Sequence, residues 1–352
     1  MAIELDKLRK HIEEIDEEIV KLLADRFRIV KEIAETKKKL GLPVYDPERE
    51  EEIRKRWINL AEKYEVPREL VKNIVDAILN YSKIIQASGR IAEKWRNKIK
   101  ILIVGSGNMG MTMYKMFKVF DIDVDIVSAR KLCTEQLIDI SCYNYVIFTT
   151  RPEYFASECF VKIVRNLRED AVVSDILSVK CPYFYHIEKE LLSRNVHYIS
   201  IHPLFGPLDI VVGETIVLIP SSRCPEDKFR LVQDLYKDVG LNVITLRSPE
   251  EHDYYMSIIQ VAHHLHYLSL MRFFNRISRE LNIDFKKLCT HSLRQTLQKL
   301  DRFKQLLNTI LEIQIFNKYG REIRERARKE FDDLVSCLNS SKSVDDASIC
   351  VG

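Results

Sequence analysis

Apolar residues recur through the first forty positions at alternating steps of three and four. Leu5, Leu8, Ile12, Ile15, Ile19, Leu22, Ile29 and Ile33 mark one long amphipathic helix of coiled-coil type, with Arg26 interrupting the stripe and Thr36 closing it. Gly41 and Pro43 are the expected stop. A second helix is predicted from Asp46-Pro47, a capping residue followed by proline at the first helical position, with Ile53, Trp57, Leu60 and Tyr64 on its inner face. A third follows Pro67 and turns Val71, Val75 and Ile78 inward. Three helices of this length with short connections must pack on one another, because none can bury its stripe alone.

The pattern changes near residue 95. Apolar runs at 99–104, 122–127, 144–150, 171–176, 197–201, 214–219 and 242–246 read as strands, and 108–120 and 226–239 read as helices. This alternation predicts a doubly wound α/β domain. From about Pro249 the chain is helical almost to residue 338, too long for a cap and suited to a separate all-α domain for substrate and dimer contacts. The last segment, Ser340 to Gly352, is small and polar and reads as an unstructured tail.

Composition narrows the function. A chain of 352 residues exceeds one ordinary core and favours two or three domains. Residues 1–90 carry 19 Lys and Arg against 19 Asp and Glu, out of 55 and 52 in the whole chain, so neither part offers the basic surface that nucleic acid requires. The eight cysteines show no C-x-x-C pair and no zinc-like spacing, which suits free thiols in a reducing cytosol, and no metal site is expected. The N-terminus is charged within four residues, and no stretch approaches the roughly 18 apolar residues of a membrane span. A cytoplasmic protein without membrane contact is expected.

Polar residues on the inner faces of the first three helices are informative, because an unpaired charge at a packed seam costs several kcal/mol. Arg26 and Lys37 are eleven positions apart and fall within about 20° of each other around the helix. Arg49 and Glu50 lie on the apolar side of the second helix, while Ser82 and Gln86 extend the 71–75–78 stripe of the third. Leu8-Arg9-Lys10, Leu23-Ala-Asp-Arg26, Lys37, Asp46-Pro-Glu-Arg49-Glu50 and Ser82-Lys-Ile-Ile-Gln86 together resemble the all-helical class of chorismate mutases. The resemblance implies that Arg9, Arg26 and Arg49 hold the two carboxylates of chorismate. It further implies that Lys37 and Gln86 address the ether oxygen, that Glu50 and the Asp46 backbone address the ring hydroxyl, and that Ser82 belongs to the substrate contacts. Arg9 precedes Arg26 by 17 residues, about 25 Å along a helix and about 100° around it, so one straight helix cannot bring both to one site. A second subunit must supply Arg9, which agrees with the intertwined dimer that the resemblance implies.

In the second region the turn Gly105-Ser-Gly107-Asn108-Met109-Gly110 joins an apolar strand to a helix, the context of a Rossmann pyrophosphate site. Its glycines permit close backbone approach, and the helix N-terminus offers N–H groups. The next strand ends in Ser128-Ala-Arg130-Lys131 without the acid that commonly holds a ribose 2′-hydroxyl, and a hydroxyl followed by two cations favours the 2′-phosphate of NADP. NAD stays open, because Asp125 lies on the same side of that strand.

Asp175-Ile-Leu-Ser178-Val-Lys180 and Ser200-Ile-His202-Pro-Leu-Phe-Gly206-Pro207 place Ser178 and His202 at strand ends where such folds bind ligands. The latter string, with Glu251-His252-Asp253, Gln260, His264 and Ser292-Leu-Arg294, resembles the prephenate dehydrogenase family over roughly 98–320. That resemblance implies that His202 takes the proton of the C4 hydroxyl of prephenate as hydride leaves C4 for the nicotinamide and CO2 is lost. Arg294 would hold a carboxylate, Ser178 would orient the hydroxyl or His202, and His264 would assist substrate binding. His252, His263 and His266 read as structural.

The expected architecture is therefore an all-α mutase module at 1–92, a Rossmann domain at 97–248, an all-α domain at 249–338 and a tail at 339–352, with a homodimer formed through both helical regions. The expected function is bifunctional, chorismate to prephenate and then prephenate to 4-hydroxyphenylpyruvate in tyrosine biosynthesis. Two alternatives stand: a dehydrogenase of prephenate or arogenate whose front helices only sense ligand or dimerise, and an unrelated Rossmann reductase of a keto or imino acid.

Overall fold

Three helices open the chain, α1 (Ala2–Lys39), α2 (Pro47–Lys63) and α3 (Arg68–Trp95), in the order the periodicity predicts. The computed structural model describes residues 2–40, 42, 46–134, 139–209, 211–285 and 287–351, so the stop expected at Gly41 and Pro43 lies outside the described residues. Asp46 caps α2 by accepting from the Arg49 backbone N–H at 3.0 Å, and Pro47 occupies the first turn, where its missing N–H costs nothing. Val71, Val75 and Ile78 are buried along α3. Tyr64, expected on the inner face of α2, is instead the residue that ends the helix, and it is exposed.

The contacts that seat α1 on α3 lie in the second half of α1. Val30 is buried, Phe27 packs against Tyr81 with ring centroids 6.0 Å apart, and Arg26 donates to the Ser82 hydroxyl at 2.7 Å. Upstream, Leu8 is 60% and Ile12 58% exposed, with Leu5, Ile15 and Ile19 also open to solvent.

The strands are β1 (Ile101–Val104), β2 (Val124–Val127), β3 (Tyr145–Phe148), β4 (Val172–Asp175), β5 (His197–Pro203), β6 (Thr215–Pro220) and β7 (Asn242–Thr245), in the sheet order β2-β1-β3-β4-β5-β6-β7. β1 pairs with β2, and β4 with β5, in parallel, whereas β6 runs antiparallel to β5. The 204–214 connection is too short for a crossover helix, so the chain can only reverse there. Helices α4 (Asn108–Val119), α5 (Ala129–Thr134), α6 (Glu158–Asn166), α7 (Phe184–Leu192) and α8 (Glu226–Asp238) fill the remaining connections.

By its internal contacts the chain forms two compact units. One comprises Met1–Val146, Phe205–Thr215 and Val232–Asn242, and the other Ile147–Leu204, Ile216–Leu231 and Val243–Gly352. Within the first, the polar stretch after α3 is no slack linker: the buried Trp95 indole donates to Asp238 at 2.9 Å, and Lys94 pairs with the same carboxylate at 2.6 Å.

The second unit is organised around a buried ion pair. Lys180 Nζ donates to Asp175 Oδ1 at 2.8 Å and to the Ile201 carbonyl at 2.7 Å, and both side chains are 1% exposed. Asp175 Oδ2 also accepts from the hydroxyls of Tyr198 and Ser200. Burial alone would raise the Asp175 carboxyl, but the Lys180 ammonium and these hydroxyls hold it below its usual range.

Beyond the sheet come α9 (Pro249–Met256), a π-helical segment at Ser257–Ala262, α10 (His263–Leu281), α11 (His291–Gln305), α12 (Leu307–Phe316) and α13 (Gly320–Ser340). Two expectations fail at the C-terminus. The tail forms a further helix, α14 (Val344–Ile349), capped by the Ser343 hydroxyl, which accepts from Asp346 N at 3.0 Å. The free-thiol reading fails for four cysteines, since Cys133, Cys159, Cys337 and Cys350 are disulfide-bonded, and holds for Cys142, Cys181 and Cys224. Cys337 and Cys350 bridge because the turn after α13 brings their Cα atoms to 5.8 Å, a proximity that spacing alone does not reveal.

Replacing Lys180 with Met leaves the Asp175 carboxylate buried without its counter-ion, and we expect the second unit to lose about 3–5 kcal/mol. Denaturant titration of that unit reads this directly, and a loss below about 1 kcal/mol would show that the hydroxyl donors suffice.

Candidate functional site

The three-helix region encloses a cavity of about 700 Å³ lined by Arg26, Lys37, Asp46, Arg49, Glu50, Ser82 and Gln86, with Ile33, Trp57 and Leu60 among its apolar walls. Its floor is ordered from α3, where Ser82 accepts from Arg26 and donates to the Ile78 carbonyl at 2.7 Å. Burial lowers the Arg26 guanidinium, yet it stays charged because its ordinary value is so high. Glu50 is buried in the wall beside Arg54 at 3.4 Å and Lys83 at 3.6 Å. Gln86 Oε1 is buried with no hydrogen-bond partner among the described residues, the mark of an acceptor that awaits one. Arg49 is exposed at the rim and pairs with Glu52 at 2.7 Å. Arg9 does not line this cavity: it lies on the open stripe of α1, paired with Asp6 at 3.4 Å.

The glycine turn has the form expected of a pyrophosphate cradle. Gly105 adopts φ +124°, a conformation that a side chain would strain, and a Cβ added at Gly107 would meet nothing within 4 Å. Gly107 precedes α4 without a side-chain cap, so the N–H groups of the first turn at Asn108 and Met109 are not covered by one. At the end of β2, Ser128 accepts from Lys131 N at 3.4 Å and Arg130 is exposed. Asp125, the alternative ribose acid, is engaged by the Tyr143 hydroxyl at 2.8 Å.

In the second unit the end of β5 delivers His202 into a buried chain of titratable groups. His202 Nδ1 lies 2.9 Å from His252 Nε2, and His252 Nδ1 lies 2.8 Å from Asp253 Oδ1. Asp253 also accepts the backbone N–H groups of Lys180 and Cys181, each at 2.9 Å. Burial, the His252 ring and the Lys180 ammonium hold His202 well below its ordinary value, and burial lowers His252 against the opposing pull of Asp253. Ser178 is half-buried after β4, but the ring nitrogen of His202 is held by His252, which the sequence reads as structural.

Two residues beyond α9 share this character. Gln314 from α12 donates to Val261 O of the π-helical segment at 2.8 Å, and Asn317 donates at 2.8 Å to Asp253 O, which also accepts from the Ser257 backbone N–H. Gln260 Oε1 and His264 Nδ1 on this stretch are buried without hydrogen-bond partners among the described residues. Burial and the neighbouring His263 bring His264 down to about 4. Arg294, by contrast, is exposed on the first turn of α11. The sequence places Glu251-His252-Asp253 within the resemblance and reads His252 as structural, and its contact with His202 is what the fold adds.

Comparison with known proteins bears on both regions. The family described as chorismate mutase type II matches residues 8–87, and the nucleotide-binding domain of prephenate dehydrogenase matches 130–245. The chorismate mutase of Methanocaldococcus jannaschii is 36% identical over 100 residues, 28% of this chain and 99% of that protein. The T-protein of Enterobacter agglomerans is 26% identical over 265 residues, 75% of this chain and 69% of its own. Prephenate dehydrogenase from A. aeolicus, solved with hydroxyphenyl propionate and NAD+, has the same fold, with a TM-score of 0.56 at 21% identity over 68% of this chain and 90% of that one. Among the described residues no helix is long and apolar enough to cross a membrane.

The depressed histidines set an acid limit. The folded protein declines a proton that unfolded His264 takes up near 6.5, so this contribution is complete above pH 6.5 and is lost as pH falls towards about 4. His202 and His252 act in the same direction. The melting temperature of the second unit should fall steadily across that window, and a flat profile would contradict the assignment.

Proposed function

Because the chain belongs to the family that joins a type II chorismate mutase to a prephenate dehydrogenase, we propose that its two sites act in series, the first making what the second consumes. It is a bifunctional enzyme of tyrosine biosynthesis: chorismate is rearranged to prephenate, and prephenate is oxidatively decarboxylated to 4-hydroxyphenylpyruvate. The observation that carries the first activity is the cavity in which the cations Arg26, Lys37 and Arg49 and the side chain of Gln86 converge. A pericyclic rearrangement needs no nucleophile. Fixed cations hold a flexible dianion in its reactive conformation and stabilise charge on the breaking C–O bond. In this reading Arg26 and Arg49 bind carboxylates, Lys37 and Gln86 donate to the ether oxygen, and Glu50, the Asp46 backbone and Ser82 hold the ring hydroxyl and the floor.

Arg9 completes the carboxylate clamp from a second copy of the chain. Its own helix carries it away from the cavity, and the uncovered stripe of Leu8, Ile12, Ile15 and Ile19 around it is the surface that an intertwined homodimer would bury.

In the second activity His202 accepts the proton of the C4 hydroxyl of prephenate. Burial keeps the ring neutral near pH 7, so it is ready as a base. The bound nicotinamide supplies a two-electron acceptor for the C4 hydride, and loss of the ring carboxylate as CO2 leaves an aromatic ring. His264 and Ser178 bind and orient substrate, and Arg294 pairs with a carboxylate. Gly105, Gly107 and Gly110 with the Asn108 and Met109 N–H groups hold the pyrophosphate. Ser128 and the exposed Arg130 at the end of β2 suit a ribose 2′-phosphate, while Asp125 accepts from Tyr143 through one of its two oxygens, which favours NADP. We further place the module boundary near residue 95 and the enzyme in the cytoplasm.

Replacing His202 with Asn should lower dehydrogenase turnover by about 10⁴-fold and leave chorismate turnover unchanged, whereas Arg26→Ala should do the reverse. Steady-state assays of both activities on one preparation decide this, and an active His202→Asn enzyme would remove the proposed base. Arg130→Ala should raise the KM for NADP by about 10-fold with little effect on NAD, since one charge-assisted phosphate contact is worth about 1.4 kcal/mol. An unchanged NADP to NAD ratio would return the preference to NAD.

A further inference from the structure

We propose that His252 and Asp253 are positioning residues that fix which nitrogen of His202 is basic, an inference that rests on His202 as the base of the dehydrogenase. The assignment follows from donors and acceptors. Asp253 is ionised, held there against burial by the His252 ring and by the two backbone N–H groups it accepts. A carboxylate can only accept, so His252 Nδ1, 2.8 Å away, must carry a proton. His252 is buried and its pKa is lowered, so it is neutral and its Nε2 is a lone pair. His202 Nδ1, 2.9 Å from that lone pair, must therefore donate. This leaves the lone pair of neutral His202 on Nε2, which makes no hydrogen bond among the described residues.

The chain of groups also answers the charge that forms during reaction. When Nε2 takes the substrate proton, His202 becomes a cation whose Nδ1–H still points at His252, with the Asp253 carboxylate one ring further on. Three bonds break at the substrate: the O–H proton moves to Nε2, the C4–H electron pair would leave as hydride to a bound nicotinamide, and the ring carboxylate departs as CO2, its electrons making the ring aromatic while Nε2 returns the proton to the product oxygen. His252 and Asp253 exchange no atoms. They hold one tautomer before the step and stabilise the imidazolium after it.

The construction is rigid. His252 and Asp253 lie in α9 just after its cap, where Ser248 accepts from Glu251 N at 3.2 Å, and Asn317 holds the Asp253 carbonyl. Asp253 in turn grips the backbone at Lys180, whose ammonium donates to the carbonyl of Ile201 next to His202. His202, His252 and Asp253 are all almost fully buried, so water does not scramble the tautomers.

The test compares His252→Leu with His252→Gln in the full chain. A Gln side-chain oxygen can accept from His202 Nδ1 and preserve the tautomer, whereas Leu offers no acceptor. We expect kcat for prephenate oxidation to fall by about 100-fold or more in His252→Leu, with KM and chorismate turnover little changed. His252→Gln should recover to within about 10-fold of the parent enzyme. Nitrogen-15 spectra of the histidine side chains, with the His202 signals identified by loss in His202→Asn, should show Nδ1 protonated and Nε2 bare in the parent and His252→Gln. In His252→Leu the proton should redistribute to Nε2. Asp253→Asn is a poorer probe, because it also disturbs the Lys180 and Cys181 backbone contacts. Equal kcat losses in the two variants, or a parent spectrum with Nε2 protonated, would overturn the positioning role. An active His202→Asn enzyme would instead overturn the base assignment beneath it, so the two failures are distinguishable.

Discussion

The buried Lys180–Asp175 pair is the constraint on which the second unit depends. An ammonium and a carboxylate this deep are tolerated only because each is also hydrogen-bonded, Lys180 to the Ile201 carbonyl and Asp175 to Tyr198, Ser200 and the Leu177 N–H. Those partners tie the end of β4 to the length of β5. The Lys180 backbone then binds Asp253, so the same few residues fix where α9 starts. His202 is thus held from both sides, by the strand that carries it and by the helix that supplies His252.

The three-helix module solves a different problem with the same rules. Its cations face inward because they surround a cavity rather than a packed seam, and the Arg26–Ser82 contact fixes the floor without neutralising it. Beyond the contacts of Arg26, Phe27 and Val30, the apolar stripe of α1 is exposed from Leu5 to Ile33, which fits a module whose site is completed by a second copy. Trp95 and Lys94, both held by Asp238, make the end of α3 a firm attachment.

Much of this was legible before any coordinates. The 3–4 spacing in residues 5–36, the Asp46-Pro47 start, the strand–turn–helix setting of Gly105 to Gly110 and the strand end at His202 all became the elements they foretold. Local rules sufficed there, because caps, glycine turns and amphipathic stripes are decided within a few residues. The C-terminal tail and four of the thiols were misread. The Cys337–Cys350 bridge depends on a chain reversal that brings thiols 13 residues apart together, whereas helix α14 rests on the local Ser343 cap, a signal that the small, polar composition of the tail hides.

The sequence by itself determined the modules, their order and the residue types at each site, since periodicity and motif spacing are properties of the chain. Only the tertiary structure decided which groups are partners. That Asp125 accepts from Tyr143, that Arg294 is exposed, and that His202 Nδ1 meets His252 are facts of proximity between residues 18 to 50 positions apart or of solvent access. A hydrogen bond depends on about a tenth of a nanometre and a direction. Sequence patterns carry neither, whereas a packed interior fixes both.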